Sequence, residues 1–101
     1  MGEDSLGMPP HQMYYVYTLK SLKDGNLYTG STNDLERRLG QHNNGEVVST
    51  KSRASVELVY YEAYRSEHDA RMRESNLKLR SKAFTQLKKR IQGSVTFGVG
   101  G

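Results

Sequence analysis

The stretch MYYVYTLKSLKDGNLYTGSTNDLERRLGQHNNG, residues 13–45, decides the fold of this chain. Residues 13–20 are rich in Tyr, Val and Thr, as is usual in strands, and residues 27–30 form a second run of the same kind. Between the two runs the sequence KDGN has Asp-Gly at its centre, which favours a tight turn. The stretch therefore predicts a hairpin of two short antiparallel strands.

A helix is predicted directly after the hairpin. Residues 31–33, Ser-Thr-Asn, are good helix N-caps, and Asp34 and Glu36 place negative charge in the first turn, where the helix dipole favours it. We expect the helix to end near Asn43, because the next two residues, Asn-Gly, supply a left-handed cap.

The remainder of the chain predicts one more strand and two more helices. Residues 45–56 are a polar and basic loop, residues 57–64 have the composition of a third strand, and Ser66 caps a helix to about Arg80. Ser81 caps a last helix to about Gln92. The order strand, strand, helix, strand, helix, helix predicts a small α/β (α+β) layer with helices packed on a three-stranded sheet.

The two ends of the chain differ from this central region. Residues 1–12 combine Gly, Pro-Pro and polar residues without periodicity, which predicts a disordered N-terminal tail or an expression tag. Residues 93–101 predict a flexible C-terminal tail. Residues 13–92 are therefore expected to form one domain, as the length of 101 residues also indicates.

Composition limits the possible partners. The net charge is +4 and the pI is about 9.4, which favours a polyanionic partner such as nucleic acid or, equally, simple solubility. There is no cysteine, no membrane-length apolar run and no signal-peptide pattern, so we expect a soluble, cytoplasmic protein without a membrane partner. The three histidines form no close-spaced pair, which argues against a structural zinc site.

The first helix separates two adjacent arginines. At about 100° per residue, Leu35 and Leu39 define its inward stripe, with Arg38 and His42 beside that stripe and Arg37 toward solvent. The guanidinium fork of Arg38 suits a phosphate, although a salt bridge with a carboxylate would also explain its place. His42 suits proton transfer, or it could close the helix by bonding a terminal carbonyl.

Glu74 is a carboxylate on an apolar stripe. Ala70, Glu74 and Leu77 share one face of the long helix, and a carboxylate there is costly unless it is paired or binds a metal. Magnesium uses one or two carboxylates together with waters and phosphate oxygens. Glu74 is therefore a metal candidate, and a buried ion pair with Arg38 or Arg73 is the alternative.

Tyrosines in strands usually serve packing, and that interpretation suffices for Tyr14, Tyr60, Tyr61 and Tyr64. Tyr17 and Tyr28 differ through their neighbours in the predicted site. A phenol near an arginine and a metal-bound water can accept a proton, because both lower its pKa.

Basic residues in the second half of the chain are candidates for holding a nucleic-acid backbone. Contacts with phosphates give affinity without sequence preference, whereas basic surfaces are also often only solvated faces. The candidates are Lys51 and Arg53 in the long loop and Lys78, Arg80 and Lys82 at the junction of the last two helices.

These residues resemble the GIY-YIG family of endonucleases over about residues 13–90. YVY at 15–17 stands where the family has GIY, and YTG at 28–30 where it has YIG. The resemblance implies that Tyr17 and Tyr28 are the motif tyrosines and places the family arginine, histidine and metal-binding glutamate at Arg38, His42 and Glu74. It also implies a three-stranded antiparallel sheet flanked by helices. Short single-domain bacterial members are most similar, and the nuclease domain of the bacterial excision-repair protein is more distant.

The resemblance implies a metal-dependent endonuclease with one Mg²⁺ or Mn²⁺ per site, acting on DNA, with RNA not excluded. Low specificity or selection of a DNA structure is expected, with a role in repair or recombination, and a homodimer or protein partner could supply targeting. Many family members carry an asparagine in the helix after the glutamate, where Gln86 is the nearest amide of this chain and Asn76 lies too close to Glu74 to replace it. A catalytically inactive nucleic-acid-binding module and an adaptor for an acidic protein are therefore the alternatives.

Overall fold

The structure is a computed structural model that describes residues 12–47, 55–79 and 82–97. In these ranges three strands form one antiparallel sheet in the order β2-β1-β3, and four helices accompany it. The strands are β1 (Tyr14–Ser21), β2 (Leu27–Thr32) and β3 (Val56–Tyr64). The helices are α1 (Leu35–Asn43), α2 (Glu67–Lys78), α3 (Lys82–Arg90) and α4 (Gln92–Thr96). The predicted α+β class and the predicted order are confirmed, with α4 added at the end.

The hairpin has the predicted turn but a longer second strand. Gly25 has φ +76°, a left-handed conformation that glycine adopts without steric cost. Ser31 and Thr32, which we expected to cap α1, belong to β2 because they pair with Val16 and Tyr15 of β1. The N-cap of α1 is instead Asp34, whose carboxylate accepts the backbone N–H of Arg37 at 3.1 Å.

The central strand β1 is buried on both faces. Val16 is 1% exposed and packs with Ala70 and Leu77 of α2 and with residues of α3, while Tyr17 and Leu19 pack toward α1. Successive strand residues point to opposite faces, so α1 covers one face of the sheet and the later helices cover the other. This arrangement leaves β2 as an edge strand between helices that lie on opposite faces.

The second and third helices begin and end close to their predicted limits. Ser66 caps α2 as expected, and its hydroxyl accepts the backbone N–H of Asp69 at 3.2 Å. The left-handed residue after α1 is Gly45, with φ +74°, as predicted from the Asn-Gly pair. The helix predicted to run from Ser81 to Gln92 is interrupted at Ile91, which separates α3 from α4.

The C-terminal region differs from the flexible tail predicted for residues 93–101, because residues 93–96 are helical within α4. Val95 packs against the core, and its carbonyl accepts a hydrogen bond from Lys20 Nζ at 2.7 Å. Gly93 disfavours a helix by its own propensity, but tertiary packing of this kind overrides such a preference. The boundary predicted at residue 92 therefore falls within α4.

Several predictions concern parts of the chain outside the described residues: the N-terminal tail through residue 11, most of the loop with Lys51 and Arg53, and Arg80 with Ser81. Among the helices that are described, none has the length and apolar character required to cross a lipid bilayer.

Candidate active site

The side chains of Tyr17, Arg38 and His42 meet on the face of the sheet covered by α1. The Tyr17 hydroxyl lies 3.0 Å from His42 Nε2, and Arg38 Nε donates to the same hydroxyl oxygen at 3.4 Å. The rings of Tyr17 and His42 are edge to face, with centroids 5.7 Å apart. Tyr17 and His42 are only 3% and 5% exposed, so this cluster is held by the protein interior.

His42 is poised as a neutral acceptor. Burial lowers the pKa of its imidazole, and the nearby positive charge of Arg38 lowers that pKa further. Because the guanidinium of Arg38 can only donate, its contact uses an oxygen lone pair of Tyr17 and leaves the phenolic proton for His42. We therefore assign Nε2 of a neutral His42 as the acceptor of the Tyr17 hydroxyl proton.

Gly30 gives Tyr17 its space. Gly30 pairs directly with Tyr17 across the ladder, and a β-carbon at residue 30 would lie 2.6 Å from Cζ of the Tyr17 ring. A side chain at this position would have to displace the phenol. Glycine at the end of the YTG sequence is therefore required by the close approach of the Tyr17 ring to the β2 backbone.

Glu74 lies on the other face of the sheet, on the α2 stripe where it was predicted. Its Oε1 accepts the Ser31 hydroxyl at 2.5 Å, and its Oε2 lies 2.7 Å from Lys78 Nζ. The expected alternative, an ion pair with Arg38 or Arg73, is not what the structure shows, since Arg73 pairs with Glu62 at 2.9 Å. Adjacent residues of α2 thus point to opposite edges of the sheet, Glu74 to β2 and Arg73 to β3.

The carboxylate of Glu74 is stabilised in its charged form. Burial alone would raise its pKa, but hydrogen bonds from Lys78 and Ser31 outweigh that effect and hold the pKa below its usual range. The side chain is 18% exposed. An ionised, partly accessible carboxylate of this kind is a suitable ligand for a hard divalent cation.

The two groups of residues approach one another around the end of β2. Gly30 faces Tyr17, and the next residue, Ser31, holds Glu74 on the opposite face. A polar cavity of about 340 Å³ at this end of the strand is lined by both Arg38 and Ser31. The cavity is therefore linked to both groups through its lining residues, since Arg38 contacts Tyr17 and Ser31 contacts Glu74.

Two further arginines line the same cavity, and the sequence analysis did not select either as a site residue. Arg37 extends from α1 and Arg71 from α2. Arg37 was placed toward solvent, and its side chain is indeed 61% exposed, but it still borders the cavity that Arg38 enters. For Arg71 a signal existed, because it precedes Glu74 by three residues and such residues are neighbours on a helix face.

Tyr28, the other motif tyrosine, is partly buried. It packs in the same cluster as Tyr17 and Leu19, beside Leu35 and Leu39 of α1. The structure thus brings Tyr28 next to the site, and a chemical role for its hydroxyl stays a prediction.

Tyr60 and Tyr64, which we assigned to packing, take part in a polar cluster that the sequence analysis missed. Both hydroxyls donate to the Glu62 carboxylate, which also receives Arg73 from α2. Burial, followed by the hydrogen bond with Glu62, raises the pKa of Tyr64 to about 12. This cluster ties α2 to β3 and lies at the sheet edge opposite the cavity.

The predicted nucleic-acid contacts are only partly described. Lys78 is exposed but engages Glu74, and Lys82 is exposed at the start of α3. The remaining three, Lys51, Arg53 and Arg80, lie outside the described residues.

Among the candidate site residues, Glu74 is the carboxylate available to a divalent ion. Within residues 12–47, 55–79 and 82–97, no group of three His, Cys, Asp or Glu side chains gathers in a way that could hold a metal. Glu74 alone is compatible with Mg²⁺ or Mn²⁺, because Mg²⁺ commonly keeps several waters and completes its shell with substrate phosphate oxygens.

The chain is thus a small α+β domain that groups a tyrosine, an arginine and a histidine on one face of its sheet and places a glutamate on the other. Residues 13–90 match the model of the GIY-YIG catalytic domain, and the chain belongs to this family. The family is a nuclease superfamily, so the predicted resemblance is confirmed.

Similar proteins come from bacteria. A UPF0213 protein of Clostridium perfringens is 48% identical over 67 residues, which cover 65% of this chain and 71% of that protein. A UPF0213 protein of Staphylococcus saprophyticus is 44% identical over 66 residues, covering 64% and 79% of the two chains. The solution NMR structure of the UPF0213 protein BH0048 from Bacillus halodurans is 30% identical, with a TM-score of 0.52 and coverage of 87% and 97%.

Proposed function

We propose that this protein is a divalent-metal-dependent endonuclease that hydrolyses phosphodiester bonds in DNA. The observation that carries the proposal is the Tyr17 hydroxyl held between Arg38 Nε and His42 Nε2, at 3.4 and 3.0 Å. A buried phenol with a basic acceptor on one side and a cation on the other is arranged for proton transfer beside an anion. The nuclease family to which the chain belongs supports the same reaction class.

Arg38 is the proposed phosphate-binding residue. Its Nε contacts Tyr17, and its Nη1 donates to Gln41 Oε1 at 2.9 Å, so the guanidinium is fixed in orientation at the cavity. A fixed guanidinium placed where negative charge grows on the phosphoryl oxygens stabilises the transition state without reorganisation. Arginine suits this task because it keeps its charge at every relevant pH.

Tyr17 and His42 form the proposed proton relay. As a water oxygen bonds to phosphorus, its proton passes to the Tyr17 oxygen, and the phenolic proton passes to His42 Nε2. The bond from phosphorus to the 3′ oxygen breaks, and that oxygen takes a proton from solvent. The products are a 5′-phosphate and a 3′-hydroxyl, as the resemblance implies. The lowered pKa of His42 keeps its imidazole free to accept the proton near neutral pH.

Glu74 is the proposed ligand of a single Mg²⁺ or Mn²⁺. When bound, such an ion supplies positive charge that polarises the phosphate and favours departure of the 3′ oxygen. Ser31 holds Glu74 Oε1 through its hydroxyl and so fixes the direction of the carboxylate. Lys78 occupies the neighbourhood of Oε2 and would have to move aside, which its 56% exposed side chain allows.

The proposed enzyme has a low preference for base sequence. Arginines and lysines that contact phosphates give affinity for any sequence. We propose a role in repair or recombination through selection of a DNA structure rather than a base sequence. RNA is included as a test substrate because phosphate contacts do not by themselves distinguish the two nucleic acids.

The test is cleavage of labelled duplex, single-stranded, flap and branched DNAs and of a single-stranded RNA, with Mg²⁺ or Mn²⁺. We expect metal-dependent cutting by the parent and by Glu57→Ala, which removes an exposed carboxylate at the far end of β3. Glu74→Ala should not cut. Cutting by Glu74→Ala at the parent rate would remove Glu74 from the mechanism.

A binding module without catalysis is the second candidate function. The observation that favours it is the 2.7 Å pair between Lys78 and Glu74, which already neutralises the carboxylate assigned to a metal. The family asparagine is also missing, and Gln86 of α3, the nearest amide in that region of the sequence, is exposed. Salt-sensitive DNA binding by a parent that never cuts would support this candidate.

A further inference from the structure

We infer that the cavity beside Arg38 holds a second phosphodiester of the bound strand, next to the one that is cut, through Arg37 and Arg71. The inference rests on the proposed function and assigns these two arginines as backbone-binding residues. The cavity measures about 340 Å³, at the small end of ligand sites, so it suits a segment of one strand rather than a whole double helix.

The charge of the cavity wall favours an anion. Of the described residues that line it, three are arginines and one, Glu67, is acidic. The arginines come from both sides of the β2 edge, Arg37 and Arg38 from α1 and Arg71 from α2. Cations that converge from two helices on opposite faces of a sheet can bind one anion from both sides.

Both proposed arginines form exposed ion pairs with nearby carboxylates, Arg37 with the N-cap of α1 and Arg71 with a residue of its own helix. Arg37 Nε lies 3.6 Å from Asp34 Oδ2, and Arg71 Nη2 lies 2.8 Å from Glu67 Oε2. All four side chains are more than half exposed. Exposed pairs of this kind contribute little to stability, so a phosphate can replace the carboxylate while the pair keeps each guanidinium near the cavity.

The identity of the ligand follows from continuity with the proposed active site. Arg38 lines the cavity and also contacts Tyr17, the proposed proton acceptor. A strand whose scissile phosphate lies at Arg38 therefore continues into the space between Arg37 and Arg71. Because these contacts are with the backbone, they are expected to be independent of base sequence.

The experiment measures binding of a labelled single-stranded DNA by fluorescence anisotropy in EDTA, where no metal-dependent cutting occurs, between about 50 and 200 mM salt. Arg37→Gln and Arg71→Gln should each lower the salt slope of the logarithm of affinity by about 0.7, as expected for one lost phosphate contact on a single strand. Lys23→Gln, an exposed change in the hairpin turn at the other end of the strands, should leave the slope within error of the parent.

Glu67→Gln provides a test of opposite sign. Removing the carboxylate that engages Arg71 should raise affinity for the strand, by more than Glu57→Gln does at the distant start of β3. Circular dichroism of each variant checks the fold, which these exposed positions should not disturb.

Slopes for both arginine variants equal to that of Lys23→Gln, or no binding by the parent, would overturn the inference. Cleavage by the parent is measured separately with Mn²⁺. A cutting enzyme with unchanged slopes would reject the second phosphate site and keep the proposed function. Changed slopes in a protein that never cuts would support the second phosphate site and reject the proposed function.

Discussion

Replacement of Tyr17 by Phe removes a single oxygen from the centre of the proposed site. The hydroxyl contacts His42 Nε2 at 3.0 Å and Arg38 Nε at 3.4 Å, and the ring is 3% exposed. Phe fits the same volume, so the packing against Leu19 and α1 is retained. The variant therefore separates the chemistry of the hydroxyl from the packing of the ring.

Two magnitudes follow for Tyr17→Phe. Loss of a buried hydrogen bond, with a partner left behind, costs about 1–3 kcal/mol of folding free energy. Loss of a positioned proton acceptor slows a reaction by roughly 10²–10⁴-fold, which corresponds to about 3–5 kcal/mol in the activation barrier. In a domain whose stability is about 5 kcal/mol or more, this loss of folding free energy leaves nearly all molecules folded. Unfolding therefore cannot account for the expected loss of cleavage rate.

The assay pairs single-turnover cleavage of the best DNA substrate with urea unfolding at the same temperature. Tyr60→Phe is the matched control, since it also removes a partly buried hydroxyl, one that donates to Glu62 at 2.7 Å on the far edge of the sheet. We expect the control to cut at nearly the parent rate. If Tyr17→Phe cuts within about threefold of the parent while folded, Tyr17 is not the proton acceptor, because the expected loss is at least about 10²-fold.

Three further predictions concern the surroundings of Tyr17 and Glu74. Gly30→Ala should reduce cleavage by at least about tenfold while the circular dichroism spectrum stays native. The added methyl group would lie 2.6 Å from Tyr17 Cζ and displace the phenol, and a small misplacement of reacting groups has an effect of this size. Burial, and then the charge of Arg38, lowers the pKa of His42 in the native protein. In the unfolded chain this pKa returns to its ordinary value of 6.5, so as the pH falls below 6.5 the unfolded chain takes up a proton before the native protein does. The free energy of unfolding is therefore highest above pH 6.5 and decreases as the pH falls. Because His42→Gln removes this titrating group, the free energy of urea unfolding of the variant should depend less on pH. Lys78→Met should raise the affinity for Mn²⁺ about twofold in a titration monitored by electron paramagnetic resonance, because a helical ion pair between residues four apart, worth about 0.4 kcal/mol, no longer competes for the carboxylate.

Each of these predictions has a matched control in the same chain. Gly40→Ala places a methyl group on α1 where nothing lies within 4 Å, and it should leave cleavage unchanged. His68→Gln changes an exposed histidine and should retain the pH dependence of the parent, whereas an equal dependence in the His42 variant would contradict the assignment. Lys89→Met should not alter the Mn²⁺ affinity. An unchanged affinity in the Lys78 variant would show that its ammonium group does not compete with the metal.

The order of elements could be predicted because local signals agreed with one another. The turn at Gly25, the cap at Ser66 and the left-handed end at Gly45 each depend on a few adjacent residues. The length of β2 could not be predicted this way. Ser31 is as good a cap as Asp34 by itself, and only pairing with β1 assigns it to the strand.

Part of the candidate site followed from periodicity. Arg38 beside the inward stripe of α1 and Glu74 on the apolar face of α2 both follow from helical spacing, and the structure places both side chains at the edge of the sheet. The hydrogen-bond partners of Glu74 could not be predicted from helical spacing. Lys78 is four residues from Glu74 and is a possible partner by helical spacing. That Lys78 and not Arg73 pairs with Glu74 depends on β3, because Arg73 pairs with Glu62 of that strand.

The sequence by itself determined the order of the strands and of the first three helices, and the residues that could bear charge or transfer protons, because these depend on neighbours in the chain. Tertiary structure decided which of those residues meet. Ser31 and Glu74 are 43 residues apart, and Tyr17 and His42 are 25 apart, so no local pattern records their contacts. Adjacent residues of β2 serve the two contacts from opposite faces of the sheet, because Gly30 leaves room for the Tyr17 ring on one face and Ser31 holds Glu74 on the other.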